Sequence, residues 1–144
     1  MKRAAALLVA AVLIGGCGGG DGAKEPPSGE SVIRGWTKAE YDGDYDKAAR
    51  YFAKDAIVQQ VETIILRTHE DAVSFGRSLP CRAKVTGIEH EPRGVLLASF
   101  DLFPGIHGTC PDGGSARVRF FIRAGQIHAW RQLPDQPKPP GQTT

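Results

Sequence analysis

Two stretches that cannot build a core bracket this chain and leave it about a hundred residues to fold with. Residues 18–30, GGGDGAKEPPSGE, are rich in Gly, Pro and charge and carry no apolar period, which is the composition of a flexible tether. Residues 134–144 hold four prolines and no large apolar side chain, so a disordered tail is expected there. The foldable part is therefore 31–133. That length supports one hydrophobic core and excludes a multidomain enzyme. The composition, 41% hydrophobic and 24% charged, is ordinary for such a domain.

The N-terminal residues set the expected address. Lys2 and Arg3 precede an apolar run at 4–14 without a charge, and Gly15-Gly16-Cys17 follow. A run this short does not cross a hydrocarbon core of about 30 Å, but it suits the core of a signal peptide. Ile14-Gly15-Gly16-Cys17 resembles the bacterial lipobox, with an aliphatic residue three before the cysteine and small residues just before it. The resemblance implies cleavage before Cys17 and lipidation of its thiol and new amino terminus. The expected organisation is a signal peptide at 1–16, a lipidated cysteine and tether at 17–30, a folded domain at 31–133 and a tail at 134–144. The expected location is the extracytoplasmic face of the cell membrane. Several acyl chains hold durably there, because each buried methylene adds about 0.8 kcal/mol. Loss of Lys2 and Arg3 would take Lys+Arg from 18 to 16 against 16 Asp+Glu. A chain that neutral excludes a nucleic-acid partner held by bulk positive charge.

With Cys17 lipidated, Cys81 and Cys110 remain as a pair in an oxidising compartment, and a disulfide is expected between them. The rival reading makes one of them a catalytic thiol. Such a thiol needs a nearby base, and neither Pro80-Cys81-Arg82 nor Thr109-Cys110-Pro111 specifies one.

Along the domain, Ser31 is a candidate cap for a helix whose buried face holds Val32, Ile33 and Trp36, broken at Asp42-Gly43-Asp44. Asp44 would cap a second helix in which Tyr45, Ala48, Ala49 and Phe52 make one stripe. Short strands are predicted from Ala56 and at Ile64-Ile65-Leu66. Thr68 to Asp71 reads as the capped start of a third helix burying Ala72, Phe75 and Leu79, stopped by Pro80. From Cys81 the period becomes two, with Ala83, Val85 and Gly87 on one side. An apolar run follows at 95–103. The last pair of strands turns at Ala124-Gly125. Strands clustered late and joined by short turns argue an antiparallel sheet with helices on one face, an α+β architecture.

The segments Val32-Ile-Arg-Gly-Trp, Tyr41-Asp-Gly-Asp-Tyr-Asp-Lys-Ala-Ala-Arg-Tyr-Phe52 and Asp55-Ala-Ile-Val58 resemble the opening of the nuclear transport factor 2 (NTF2)-like superfamily, in its SnoaL-like branch. Phe120-Phe-Ile-Arg-Ala-Gly-Gln-Ile-His-Ala-Trp130 is similar to its closing hairpin. The resemblance spans nearly all of 31–133. It implies a cone: a curved antiparallel sheet packed on three N-terminal helices, the cystatin-like roll, with a pocket at the open end. Members include steroid isomerases, polyketide cyclases, dehydratases and non-catalytic binding domains, so the fold does not settle the function. The isomerase branch uses a strand carboxylate as proton shuttle, and a hydroxyl donor and a second acid as oxyanion hole. Alignment places Gln60, Trp36 and Arg117 at those three positions. None can do the same job, since an amide has no useful pKa and Arg stays protonated.

Other candidates remain. Asp101 interrupts the apolar run and would serve as acid or base if it faced a pocket, or point outward beside an Arg if it did not. His69, in the presumed first turn of the third helix, is a catalytic or a capping residue. His128 lies on the last strand beside Trp130. No two histidines sit at metal-pair spacing, and there is no phosphate loop, dinucleotide fingerprint or nucleophile elbow, so no metal or cofactor is expected. Trp36, Gln60, Phe75, Phe100, Phe120 and Trp130 are the candidate lining of a pocket, against the alternative that most aromatics are plain core. Arg117, Arg119 and Arg123 form a stripe, which is either a basic site for an anion or partner, a solvated outer face, or the polar side of a homodimer's sheet of the kind the family resemblance implies. The expected function is small apolar ligand binding by a lipid-anchored domain. The alternatives are an enzyme of cyclase, isomerase or dehydratase type and a non-catalytic envelope interaction module.

Overall fold

The computed structural model describes residues 22, 24–108, 110 and 113–134. Cys17, the expected signal segment and the tail beyond Pro134 lie outside the described residues. The elements run α1 (Gly29–Tyr41), α2 (Tyr45–Ala49), β1 (Phe52–Gln59), β2 (Thr63–Leu66), α3 (His69–Ser78), β3 (Cys81–Glu91), β4 (Val95–Pro104), β5 (Ser115–Arg123) and β6 (Gln126–Gln132). They make an α+β fold around one six-stranded sheet of order β2-β1-β6-β5-β4-β3. Four pairs of strands adjacent in sequence order pair antiparallel, but β1 and β6 pair in parallel. The sheet is thus mixed rather than wholly antiparallel. Short turns are readable from sequence, whereas the pairing that closes the sheet joins strands some seventy residues apart.

Helix α1 starts one turn before the expected cap. Ser28, not Ser31, caps it, and its hydroxyl accepts from the Ser31 backbone N–H at 3.2 Å. Two contacts draw the first turn in. Gly29 packs so closely on Leu96 that a Cβ there would meet Leu96 Cδ1 at 2.5 Å. Glu30 meets the His90 ring at 2.9 Å. Asp44 caps α2 as its sequence suggests, accepting from the Lys47 N–H. The helix, however, ends at Ala49, and Phe52 opens β1 opposite Ile127. Phe52 is buried in either conformation, so the apolar stripe alone could not decide. The Ile127 N–H donating to the Tyr51 carbonyl at 2.8 Å does. The start of α3 is a complete capping box. Thr68 Oγ1 accepts from the Asp71 N–H, and the Asp71 carboxylate accepts from the Thr68 N–H. Those bonds with Thr68 hold the Asp71 carboxyl below its usual range.

The sheet is irregular where it must change direction. Between Val85 and Gly87 the register with β4 shifts. Val85 pairs with Phe100 and Ile88 with the buried Ala98, so Gly87 falls on the opposite face from the one its spacing predicts. An extra residue of this kind bends and twists a strand. The core lies between the inward sheet face and the helices. Phe120, Ile33, Ile127, Val32 and Val58 are its most enclosed large side chains. The β5–β6 turn uses Ala124 and Gly125, both left-handed at φ 50° and 75°.

Candidate functional site

One end of the core is open. The inward positions of β3, β4 and β5 there are small or aliphatic: Ala83 pairs with Leu102, and Phe100 with Ala116. An alanine beside each large residue leaves space that the facing helix does not fill. The result is a cleft of about 100 Å³. Trp36 on α1 and Trp130 on β6 form one wall, and Phe100, Leu102 and Val118 form the sheet wall. Leu79, Pro80 and Cys81, where α3 gives way to β3, form the rim. Gln60 and Gln132 stand at the mouth and hydrogen-bond to each other, Nε2 of Gln60 donating to Oε1 of Gln132 at 3.0 Å. Beyond them a wider groove of about 500 Å³ shares Gln60, Pro80 and Gln132 and adds Gln59, Val61 and Arg131.

The rim is fastened. Cys81 and Cys110 form a disulfide, 29 residues apart in the chain. Beside it the β4–β5 loop lies on the backbone of Pro80: a Cβ at Gly105 would meet the Pro80 carbonyl oxygen at 2.2 Å, and one at Gly108 at 2.5 Å. Only glycine permits that approach.

The wall of the inner cleft contains no side chain that titrates, because its one cysteine is oxidised. Its polar side chains are the amides of Gln60 and Gln132, and the indole N–H groups of its two tryptophans are buried. Trp36 is 4% exposed and Trp130 is 3% exposed, and no group among the described residues accepts a hydrogen bond from either Nε1. A buried donor without an acceptor costs about 1–3 kcal/mol, so such groups are rare. The two rings sit edge to face with centroids 6.3 Å apart.

The structure separates the sequence candidates. Trp36, Gln60, Phe100 and Trp130 meet at the cleft. Phe75 and Phe120 do not line it but stack behind it, Phe75 on Trp130 at 5.2 Å and Phe120 on Trp36 at 5.7 Å. Asp101 is exposed and pairs in register with Lys84 and Ser115, on the face of β4 opposite Phe100. His128 is half-buried against the edge of Phe121, away from the cleft. His69 Nε2 lies 2.8 Å from the Asp46 carboxylate and ties α3 to α2, and this bond is the main reason the Asp46 carboxyl falls below its usual range. Of the arginine stripe, Arg119 makes a bidentate pair with Glu91, at 2.6 and 2.9 Å, across the outer sheet face. Arg117 pairs in register with Ser99 on that same face.

Sequence reasoning missed one titratable group near this end. Glu40, one helical turn after Trp36, is half-buried with its carboxylate over Gly76 of α3, where a Cβ would stand 2.4 Å from Oε1. Burial pushes its carboxyl up to about 7. The signal was the i, i+4 spacing from Trp36 on the buried face, together with a glycine in α3. Glu40 is not part of the cleft wall. Among the described residues no cluster of three or more His, Cys, Asp or Glu could hold a metal.

No protein-family model matches the sequence, and neither does any curated protein. Solved structures do match. An NTF2-like protein of unknown function from Cytophaga hutchinsonii has a TM-score of 0.62 at 11% identity, over 78% of this chain and 94% of that one. A Kribbella flavida protein provisionally assigned as a ketosteroid isomerase gives 0.60 at 17% identity, over 77% and 81%. A provisionally assigned polyketide cyclase of Xanthomonas campestris pv. campestris gives 0.57 at 18%, over 74% and 89%. At such identities the likeness is one of fold, and the fold is NTF2-like.

Proposed function

We propose that this chain is a membrane-anchored bacterial lipoprotein whose NTF2-like domain binds a small apolar ligand in the cleft between Trp36 and Trp130. The observation that supports binding over acid–base chemistry is the wall itself, which is apolar and carries no titrating group. The alanines at 83 and 116 supply the space. The anchor rests on the lipobox-like sequence ending at Cys17.

A thermal-shift screen of small apolar compounds tests the binding. A ligand at 100-fold over its Kd stabilises by about 2.7 kcal/mol, or roughly 10–20 °C for a domain of this size. Ala116→Leu, which fills the cleft, should fold normally and abolish the shift. A screen without any shift overturns the reading. For the anchor, the mature chain should begin at an acylated Cys17 by mass spectrometry, and an intact Met1 terminus overturns it.

A further inference from the structure

We propose that the groove between α1 and β3 is a binding site for a compact multivalent oxyanion, a ligand carrying phosphate or carboxylate groups. It lies outside the cleft described above and does not depend on it. Arg34, Thr37, Lys38 and Tyr41 recur at the spacing of one helical face of α1, and they meet Ala83, Lys84 and Val85 across a groove of about 390 Å³. β3 is an edge strand of the sheet, so among the described residues no further strand pairs on this side. Four cations gather here around one carboxylate. Asp42 is taken by Lys38, whose Nζ lies 2.6 Å from Oδ2. Arg34, Arg82 and Lys84 have no carboxylate partner among the described residues. Two of the three are held by aromatic rings instead. The Arg82 guanidinium stands 4.7 Å from the centre of the Tyr41 ring, and its Nε donates to the Pro104 carbonyl at 2.8 Å. The Lys84 ammonium lies 4.9 Å from the same ring centre and 5.2 Å from that of Phe103. A ring face attracts a cation without neutralising it or occupying its remaining N–H donors. Both cations are thus positioned before a ligand arrives, which lowers the ordering cost of binding. Like charges gathered round one ring repel each other. An anion of two or more charges removes that repulsion and accepts from the free donors at once.

The test titrates the full chain with inorganic pyrophosphate and with citrate by calorimetry at low ionic strength and neutral pH, with acetate as the monovalent control. The expected result is one anion bound per chain, roughly tenfold more tightly than acetate, with the affinity falling as salt screens the charges. Arg34→Gln and Lys84→Gln should each weaken binding by roughly three- to fivefold, and Lys84→Arg should retain it. Both side chains are exposed, so the variants keep the fold. Lys54→Gln removes an equally exposed cation on β1, four strands away from β3, and should leave the affinity unchanged. Binding of either anion with this pattern supports the site, and the tighter of the two identifies phosphate or carboxylate as its group. A loss in Lys54→Gln equal to that in Lys84→Gln overturns it, because the attraction is then to net charge alone. Absence of binding by both anions overturns it as well. Sedimentation with phosphatidylglycerol vesicles separates the remaining source of phosphate. Vesicle binding that Lys84→Gln abolishes, with no uptake of either free anion, overturns the small-ligand site in favour of a lipid surface.

Discussion

Glu40 is the residue whose chemistry departs furthest from its free behaviour. Its carboxyl is half-buried over Gly76, accepts no hydrogen bond among the described residues, and is raised by burial from 4.5 to about 7. The folded state therefore prefers the proton. Stability from this preference is fully present below about pH 4.5 and is lost as the pH rises through 7, a change on the order of 3 kcal/mol. Thermal melts should show the wild type weakening between pH 5 and 8. Glu40→Gln should flatten that slope and be the more stable at pH 8. An unchanged slope would show that the carboxyl is solvated. Sequence reasoning raised Asp101, His128 and His69 as candidates, each beside a non-catalytic alternative, because each interrupts or flanks an apolar pattern. Which face a strand residue takes depends on register, and the side chain that meets a histidine depends on helix packing. Neither is written locally. The buried donors were half legible: Trp36 and Trp130 were named as lining, but the lack of an acceptor is a property of the assembled wall.

At the scale of elements, the caps and turns were the legible parts, since their chemistry is local. Asp44, the Thr68–Asp71 box and the Ala124-Gly125 turn all stand where spacing put them. Boundaries set by tertiary contact were not legible, as the early end of α2 and the shift at Val85 show. The β5–β6 turn also carries a removable strain. Ala124 holds φ 50°, a left-handed conformation that costs an alanine roughly 1 kcal/mol. Asn-Gly suits a turn with two left-handed residues best. Ala124→Asn should raise stability by about 0.5–1 kcal/mol in denaturant melts, with the ligand response unaltered. A loss of stability would mean that Ala124 is chosen for a contact rather than tolerated.

For the whole molecule, the α+β class follows from the order of periods, and the disulfide was expected from the count of cysteines and the compartment the N-terminal sequence suggests. The bond joins the start of β3 to the β4–β5 loop and so holds the cleft rim as well as the chain. Cys81→Ala with Cys110→Ala should cost about 3–4 kcal/mol in equilibrium unfolding, the loop-closure value for a span of this length. It should also weaken ligand binding, because Gly105 and Gly108 would no longer be kept on Pro80. A double variant as stable as the wild type would reduce the bond to decoration. The parallel contact of β1 with β6 was invisible beforehand, since no turn announces it.

That same contact has a consequence for a chain that is interrupted. The final strand sits between β1 and β5, so a product cut short before residue 126 would carry two raw sheet borders instead of one sealed seam. Exposed backbone of that kind templates the next molecule. Truncated copies of this protein should therefore precipitate rather than persist as small soluble fragments.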